Sequence, residues 1–587
     1  MKGTNMHASK TPLLLAAIAR PWISLLVLLL LVTTAGSAAA VVTPIGIDAT
    51  TGRYFVQNTA VIPLMGVSAD AACNLHLGTG SDICTFDSTK TSYYVNVLND
   101  LSNRNVNKIR LWVSLNGGDW QPNSCTTGRA PHLDDQPFVY NPTPVGANGI
   151  GTWRLDLRNA NFFANLASVV AFAQSRPNKI YVEVTFFAPW VGVFELGPWH
   201  PNHGRALIGG VVTPVGFSDR AYFVKPDTNP ATMAQNEGMR TYQKKVIDWT
   251  VDALASYDNV YFEIANEPEK FQPETPGCGA PTTQTATAAN VATWQNSMVT
   301  ELVNYEQTNY VNTGVLSRRH LIAVQPFSIA GANQAFANPN IDIVNGHYTT
   351  ISAANGGMGA ITLARTYPTQ PRILGSNEDK ISGVGSSGNT ASCNATSCSG
   401  QPDSARAGAW EFMLTRGGTF DHFGYFYNST SGVQIRNQIG VLKTFLLSLP
   451  LRQVVASPDT PNWINIGSYA TTTASNKYYA ALEPASTAAT IKYALYIHRS
   501  TTRNLGFRGY QPVAPPPGDY SENLKLCLGP TSGSYLAEWI SPTSGAVLSF
   551  QNITWPGSTT CANGGPGSVN LNSQTYTYDI ALRVTKQ

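Results

Sequence analysis

The chain has 587 residues, 43% of them apolar and only 12% charged, with a formal net charge of +3. Residues 1–40 hold three of the 38 basic residues (Lys2, Lys10, Arg20) and no acidic ones, so the remainder balances at 35 basic against 35 acidic. A sparsely charged, neutral chain has no basic excess with which to neutralise phosphates, which excludes nucleic acid as a partner, while the length allows two or three domains.

Residues 1–40 combine a basic leader, an apolar run from Trp22 to Val32 and the small-residue stretch AGSAAA ending at Ala40. This is the pattern of a secretory signal peptide cleaved near Ala40, and it predicts a secreted protein, extracellular or periplasmic, with no membrane contact once the signal is removed. The competing reading is an uncleaved membrane anchor. No later stretch approaches the ~18 apolar residues that a spanning helix needs.

Across residues 41–452, short apolar strands alternate with amphipathic helices. The strand candidates are VIPLMG (61–66), NKIRLWV (107–113), KIYVEVTFF (179–187), NVYFEIA (259–265), HLIAVQ (320–325), IDIVNG (341–346), PRILGS (371–376) and GGTFDHFGYFY (417–427). Between them, Phe162, Phe163, Leu166, Val169, Val170 and Ala173 recur at helical spacing, as do Tyr242, Val246, Trp249 and Ala253, and again Val291, Met298, Leu302 and Tyr305. Near-continuous apolar strands separated by helices imply a parallel sheet, and eight such units imply a closed (β/α)8 barrel. The stretches 116–150, 190–235 and 380–403 read as long loops, which in a barrel shape the substrate site.

After the helical run VQIRNQIGVLKTFLLSL (433–449) the helical period stops. Pro450 and SPDTPN (457–462) mark a boundary, and alternating runs such as KYYAALEP, IKYALYIHR, YLAEWISP and YTYDIALRV predict an antiparallel β-sandwich over 453–587. Its aromatics Tyr535 and Trp539 read as core rather than as a glycan platform. APPPG (514–518) reads as a rigid loop.

All eight cysteines follow the leader, as expected of loop staples in an oxidising compartment. Proximity favours Cys73–Cys84, Cys393–Cys398 and Cys527–Cys561, with Cys125 and Cys278 left for a longer bridge. Neither they nor the nine histidines show metal-ligand spacing, so no metal and no cofactor is expected.

The chemistry concentrates at two strand ends. NVYFEIA runs into Asn266-Glu267-Pro268, and PRILGSNED (371–379) ends in a second carboxylate, Glu378. Two carboxylates delivered from two strand ends are what glycosidic bond hydrolysis needs, one as acid/base and one as nucleophile. Such an acid must start protonated, which burial and a neighbouring negative charge favour, and such a nucleophile must start ionised. Arg110, in the apolar strand NKIRLWV, is the cation placed to favour that ionisation, with Glu263 as its alternative, structural partner. Trp199 in PWHPNHG (198–204) offers a face for a sugar ring, and His200 and Asn202 offer hydrogen bonds to hydroxyls; the alternative is a Pro-braced loop around a buried tryptophan.

Over roughly residues 50–450 the chain resembles the (β/α)8 clan of retaining glycoside hydrolases that includes the family 5 cellulases and mannanases. The residues that carry the resemblance are Arg110, Asn266-Glu267 in FEIANEP, His347-Tyr348 in VNGHYTT and Glu378 in LGSNED. The resemblance implies Glu267 as acid/base, Glu378 as nucleophile and Asn266 as the ligand of the sugar 2-hydroxyl. It also implies that Tyr348, or else His347, lies beside the nucleophile, although the clan's spaced His-x-Tyr is here an adjacent pair. The tryptophan platform common on the eighth strand is missing, leaving Tyr425 or Phe426 for that place. The implied activity is double-displacement hydrolysis of a β-linked polysaccharide or oligosaccharide. A non-catalytic glycan-binding barrel and a transglycosylase remain alternatives, and nothing in the sequence specifies an oligomeric state.

Overall fold

The computed structural model of the chain describes residues 40–68, 90–115, 136–143, 151–188, 194, 197–268, 286–326, 328–347, 359–379, 401–422, 430–457, 461–466, 477–499, 519–558 and 567–587. Residues 1–39 of the expected signal peptide, every cysteine except Cys527, the loop APPPG, Tyr348, Tyr425 and Phe426 lie outside these residues.

Eight parallel strands close into a barrel: β1 (Leu64–Ser68), β2 (Lys108–Leu115), β3 (Tyr181–Ala188), β4 (Val260–Ala265), β5 (Ile322–Val324), β6 (Ile343–His347), β7 (Ile373–Asp379) and β8 (Thr419–His422), with β8 pairing back onto β1. After them in turn come α1 (Lys90–Asn103), α2 (Ala160–Gln174), α3 (Arg240–Leu254), α4 (Ala288–Glu306), α5 (Ile329–Ala337), α6 (Ala360–Thr366), α7 (Gln401–Thr415) and α8 (Thr430–Leu447). The strands read as near-continuous apolar runs, interrupted by a few polar residues, because both of their faces are covered. In β4, for example, Val260, Phe262 and Ile264 join the core shared with the helices, while Tyr261 joins a separate cluster at the barrel's base. Local caps fix the helix starts. Asn159 accepts from the Phe162 N–H ahead of α2, and Thr287 and Asn290 form a reciprocal capping box at α4.

One expected strand is divided. In VIPLMG, Val61 and Ile62 belong to an N-terminal antiparallel ribbon (46–47, 55–57, 60–62), and the barrel strand begins only after Pro63, which has no N–H to donate to a ladder. This ribbon plugs the barrel floor. Phe55 and Ile45 pack with Leu64, Tyr181, Tyr261, Ile343 and Ile373, and the Phe55 and Tyr261 rings lie 5.5 Å apart.

The long connections also differ from plain loops. Residues 138–141 and 152–158, from the β2–α2 connection, pair with 204–208 and 211–214, from the β3–α3 connection, in one four-stranded sheet. Gly209 and Gly210, at φ +57° and +83°, make the two-residue turn of its hairpin. Flanking that turn, Leu207, Ile208, Val211 and Val212 are exposed.

The C-terminal part is two antiparallel sheets. Six strands, β9 (Val454–Ala456), β11 (Tyr478–Pro484), β12 (Lys492–His498), β17 (Asp579–Lys586), β14 (Gly533–Ile540) and β15 (Val547–Trp555), lie side by side in that order. Facing them are β10 (Ile464–Asn465), β13 (Asn523–Leu526) and β16 (Val569–Asn572). Tyr535 and Trp539 sit in the core between the sheets with Trp463, Leu495, Trp555 and Leu582. The sandwich is bound tightly to the barrel through α7. Trp410 stacks on Tyr496 with centroids 5.2 Å apart, Arg406 grips Asp579 with bonds of 2.6 and 3.0 Å, and His498 Nε2 lies 3.0 Å from Glu411.

A buried ion pair secures the start of β5. His320 Nδ1 lies 2.6 Å from Glu306 Oε1, its Nε2 lies 2.9 Å from the Tyr257 carbonyl, and both side chains are buried. With an acceptor at each ring nitrogen the imidazole carries both protons. Burial alone would lower its pKa, but Glu306 and the Tyr257 carbonyl outweigh burial and raise it. The stabilisation is therefore full below the ordinary histidine pKa of about 6.5 and disappears as pH rises through the raised folded value. His320→Gln should cost about 3–5 kcal/mol in urea unfolding at low pH, with a gap to wild type that narrows as pH rises. A gap that does not change with pH would rule out an ionic pair.

Candidate active site

Above the apolar floor, the barrel interior is polar. Alternation along each strand turns Lys108 and Arg110 of β2, Glu183 and Thr185 of β3, Glu263 of β4, Asn345 of β6, Asn377 of β7 and Asp421 of β8 into one shared space, each fully buried. Lys108 Nζ bridges Glu183 at 2.6 Å and Asp421 at 2.9 Å. Arg110 pairs with Glu263 and donates to Thr185 Oγ1 at 3.0 Å and to Asn266 Oδ1 at 2.9 Å. The side-chain amides of Asn345 and Asn377 each donate to both glutamates, at 2.8–3.2 Å. Glu263 thus accepts from four side chains, counting Thr185, while Glu183 accepts from three, counting Tyr261, and has Lys108 as its ionic partner. Gly375 leaves room for this crossing, since a methyl group there would overlap the Asn345 amide oxygen.

Two cations face three carboxylates, and the carboxyl groups respond unequally. Burial pushes Glu183 upward, but Lys108, Arg110 and the amide donors outweigh it, and its carboxyl is held below the ordinary range. Burial raises Glu263, with Arg110 offsetting only part. Asp421, whose ionic contact is Lys108, is pushed up to about 6 by burial, helped by the charge of Glu183. The interior therefore favours retaining one proton, and Asp421 is the group best placed to hold it.

This network supports the mouth. Asn266 follows β4 directly, and its backbone N–H donates 2.8 Å to the Phe187 carbonyl of β3. Its amide oxygen is taken by Arg110, while its buried Nδ2 has no hydrogen-bond partner. Glu267, 1% exposed, has φ +45°, in the left-handed region that costs a side-chain-bearing residue about 1–3 kcal/mol. Its N–H donates 2.5 Å to Gln325 Oε1, just beyond β5. Glu378 belongs to the last residues of β7, where the register with β8 shifts between Ser376 and Asp379, so an extra residue interrupts the alternation. The Glu378 side chain lies outside the described residues, as does that of His347, the last residue of β6.

The loop 198–204 takes the structural alternative at its tryptophan. Trp199 is 1% exposed, donates 2.8 Å to Ser114 Oγ, and is ringed by Phe138, Phe187, Phe217 and Phe223. Its rings anchor the β3–α3 connection on the ends of β2 and β3 and leave no face open to a sugar. His200, half-buried, is pushed down to about 4 by burial and by His203, and its Nδ1 accepts from the Asn202 N–H at 3.2 Å; Asn202 is exposed. Of the residues singled out in the sequence, Arg110 and Asn266 touch, and Glu267 is next in the chain to Asn266. Lys108, Glu183, Asn345, Asn377, Asp421 and Gln325 were not singled out. Their signal is a polar residue at inward parity, or at the end, of a strand that is otherwise apolar.

No family model and no curated protein matches the chain. Among solved structures, it is similar to a GH30 endoxylanase from Clostridium papyrosolvens C71, at 10% identity and a TM-score of 0.42, over 93% of this chain and 100% of that one. It is also similar to a GH27 β-L-arabinopyranosidase from Geobacillus stearothermophilus, at 8% identity and a TM-score of 0.43, over 90% and 97%. A third is a β-mannanase from the blue mussel Mytilus edulis, at 12% identity and a TM-score of 0.35, over 68% and 96%. These are likenesses of general architecture, and the chemistry rests on the residues themselves.

Two substitutions test the interior. Because the raised pKa of Asp421 favours its neutral form, wild-type stability should fall as pH rises from the unfolded value of about 3.9 through about 6. Asp421→Asn needs no ionisation, so its unfolding free energy relative to wild type should increase across that window and then level off. A decrease would mean that the carboxylate is stabilising there. Gly375→Ala should lose about 1–3 kcal/mol through overpacking, seen as a lower urea midpoint.

Proposed function

We propose that the chain is a secreted retaining β-glycosidase acting on a β-linked polysaccharide or oligosaccharide of the glucan or mannan type. The observation that carries this reading is the position of two glutamates at one barrel mouth. Glu267 follows β4 in a strained, side-chain-braced backbone, and Glu378 is the next-to-last residue of β7, within a register shift. Residues at the C-terminal ends of barrel strands are where this architecture performs chemistry, and strained backbone collects at working sites.

In the first half-reaction the Glu378 carboxylate attacks the anomeric carbon while Glu267 gives its proton to the departing glycosidic oxygen. The carbon–oxygen bond breaks and a glycosyl ester on Glu378 forms. In the second, Glu267, now ionised, takes a proton from water as the water oxygen attacks the same carbon, and Glu378 leaves as a carboxylate. Asn266, its amide oxygen held by Arg110, presents its N–H to a hydroxyl oxygen of the sugar. The leader in residues 1–40 supports export before this chemistry takes place.

Reducing-sugar release from β-glucans, mannans, xylans and aryl glycosides tests the proposal. Glu378→Gln should abolish turnover, and Glu267→Gln should lower it by about 10²–10⁴-fold, with azide partly rescuing Glu267→Ala. A wild type that binds a glycan but cleaves nothing would instead make the protein a binding scaffold.

A further inference from the structure

Four non-glycine residues among those described have positive φ: Asn58, Thr59, Asn105 and Glu267. Asn58 and Thr59 form the turn between strands 55–57 and 60–62, and Asn105 follows the end of α1, settings where such a conformation is ordinary. Glu267 is different. It is a glutamate at a barrel strand end, and it precedes Pro268, whose ring further restricts the residue before it. Such a conformation persists only where neighbours impose it.

The neighbours are on both flanks. The β4–β5 ladder pairs Phe262 with Ile322 and Glu263 with Ala323. Two residues past that pairing on β5, the buried Gln325 side chain turns across and accepts the Glu267 N–H. On the other side the Phe187 carbonyl of β3 accepts the Asn266 N–H. A side-chain oxygen thus continues, on one flank, the pairing that the backbone supplies on the other.

We infer that Gln325 is a positioning residue: its amide oxygen holds the Glu267 backbone in the left-handed conformation and thereby aims the Glu267 carboxyl for proton donation. The catalytic part of this inference rests on the reading of Glu267 as the acid/base. The conformational part does not.

Gln325→Met keeps the volume and removes the acceptor, and Gln325→Glu keeps an acceptor. A crystal structure of Gln325→Met should show residue 267 at negative φ, and an unchanged positive φ overturns the inference whatever the enzyme's activity. Kinetically, aim matters only where the leaving group needs a proton. On an unactivated oligosaccharide, Gln325→Met should lose about 10²-fold in kcat/KM, the scale of an ångström's misplacement. On the 2,4-dinitrophenyl glycoside of the same sugar, whose leaving group departs unprotonated, glycosyl-enzyme formation should fall by less than about threefold. Gln325→Glu should retain most of the activity, with the alkaline limb of its pH profile moved upward by the added negative charge. Equal losses on both substrates, or none, overturn the role of Gln325. Glu267→Gln is the control: if it shows the leaving-group dependence and Gln325→Met does not, only this inference fails. If Glu267→Gln shows none, the acid/base assignment fails.

Discussion

The interior of the barrel must keep five ionisable side chains out of water, and much of the mouth depends on how it does so. A buried charge is tolerable only when paired and fully hydrogen-bonded. Lys108 and Arg110 on β2 supply the positive charges, and Glu183, Glu263 and Asp421 come to them from three other strands. The carboxylates outnumber the cations by one, and burial, helped by the charge of Glu183, raises the pKa of Asp421. Because the groups come from separate strands, the network also ties the barrel together across its own diameter. Any shift of β2 against β4 would break Arg110 from Glu263, and with it the hold on Asn266.

The molecule is thus layered along the barrel axis by dielectric environment. An apolar floor, sealed by the N-terminal ribbon, keeps water from below. The ionic layer above it is held rigid around its two glutamates, where hydrogen bonds from Arg110, Thr185, Tyr261, Asn345 and Asn377 fix geometry, while Lys108 and Asp421 are held by charge. Asn266 and Glu267 emerge directly from that layer, which allows a strained backbone to persist at the strand end where an isolated turn would relax. Rigidity below and strain above are two aspects of one arrangement.

How much of this the sequence reveals depends on whether a feature leaves a local pattern. The eight barrel strands do, because a strand covered on both faces is a short, mostly apolar run, and Glu267 is legible as the residue where such a run meets a turn. The four-stranded sheet outside the barrel is not legible, because its strands come from two connections and the longest has seven residues. Pro63 is a readable stop, yet the run it interrupts looked like one strand until the ribbon claimed Val61 and Ile62. Trp199 shows the limit for aromatics, since a residue type that stacks on sugars also fills cores, and only its bond to Ser114 and its ring of phenylalanines decide the matter. Gln325 is harder still. One amide at a strand end carries no periodicity, and its importance comes from a partner 58 residues away.

The order of strands in the C-terminal sheet has a consequence for synthesis. The last strand, β17, lies in the middle of the six, with β12 on one side and β14 on the other. As the chain emerges from the ribosome, the barrel has all eight of its strands once β8 is out. The sheet docked on α7 then waits with a gap down its centre until β17 itself is released. A premature stop just ahead of Asp579 would not trim an edge. It would leave two half-sheets with four unpaired margins, the kind of exposed strand edge that recruits other chains, and quality control would meet a chain whose barrel strands are all present but which behaves like a misfolded one.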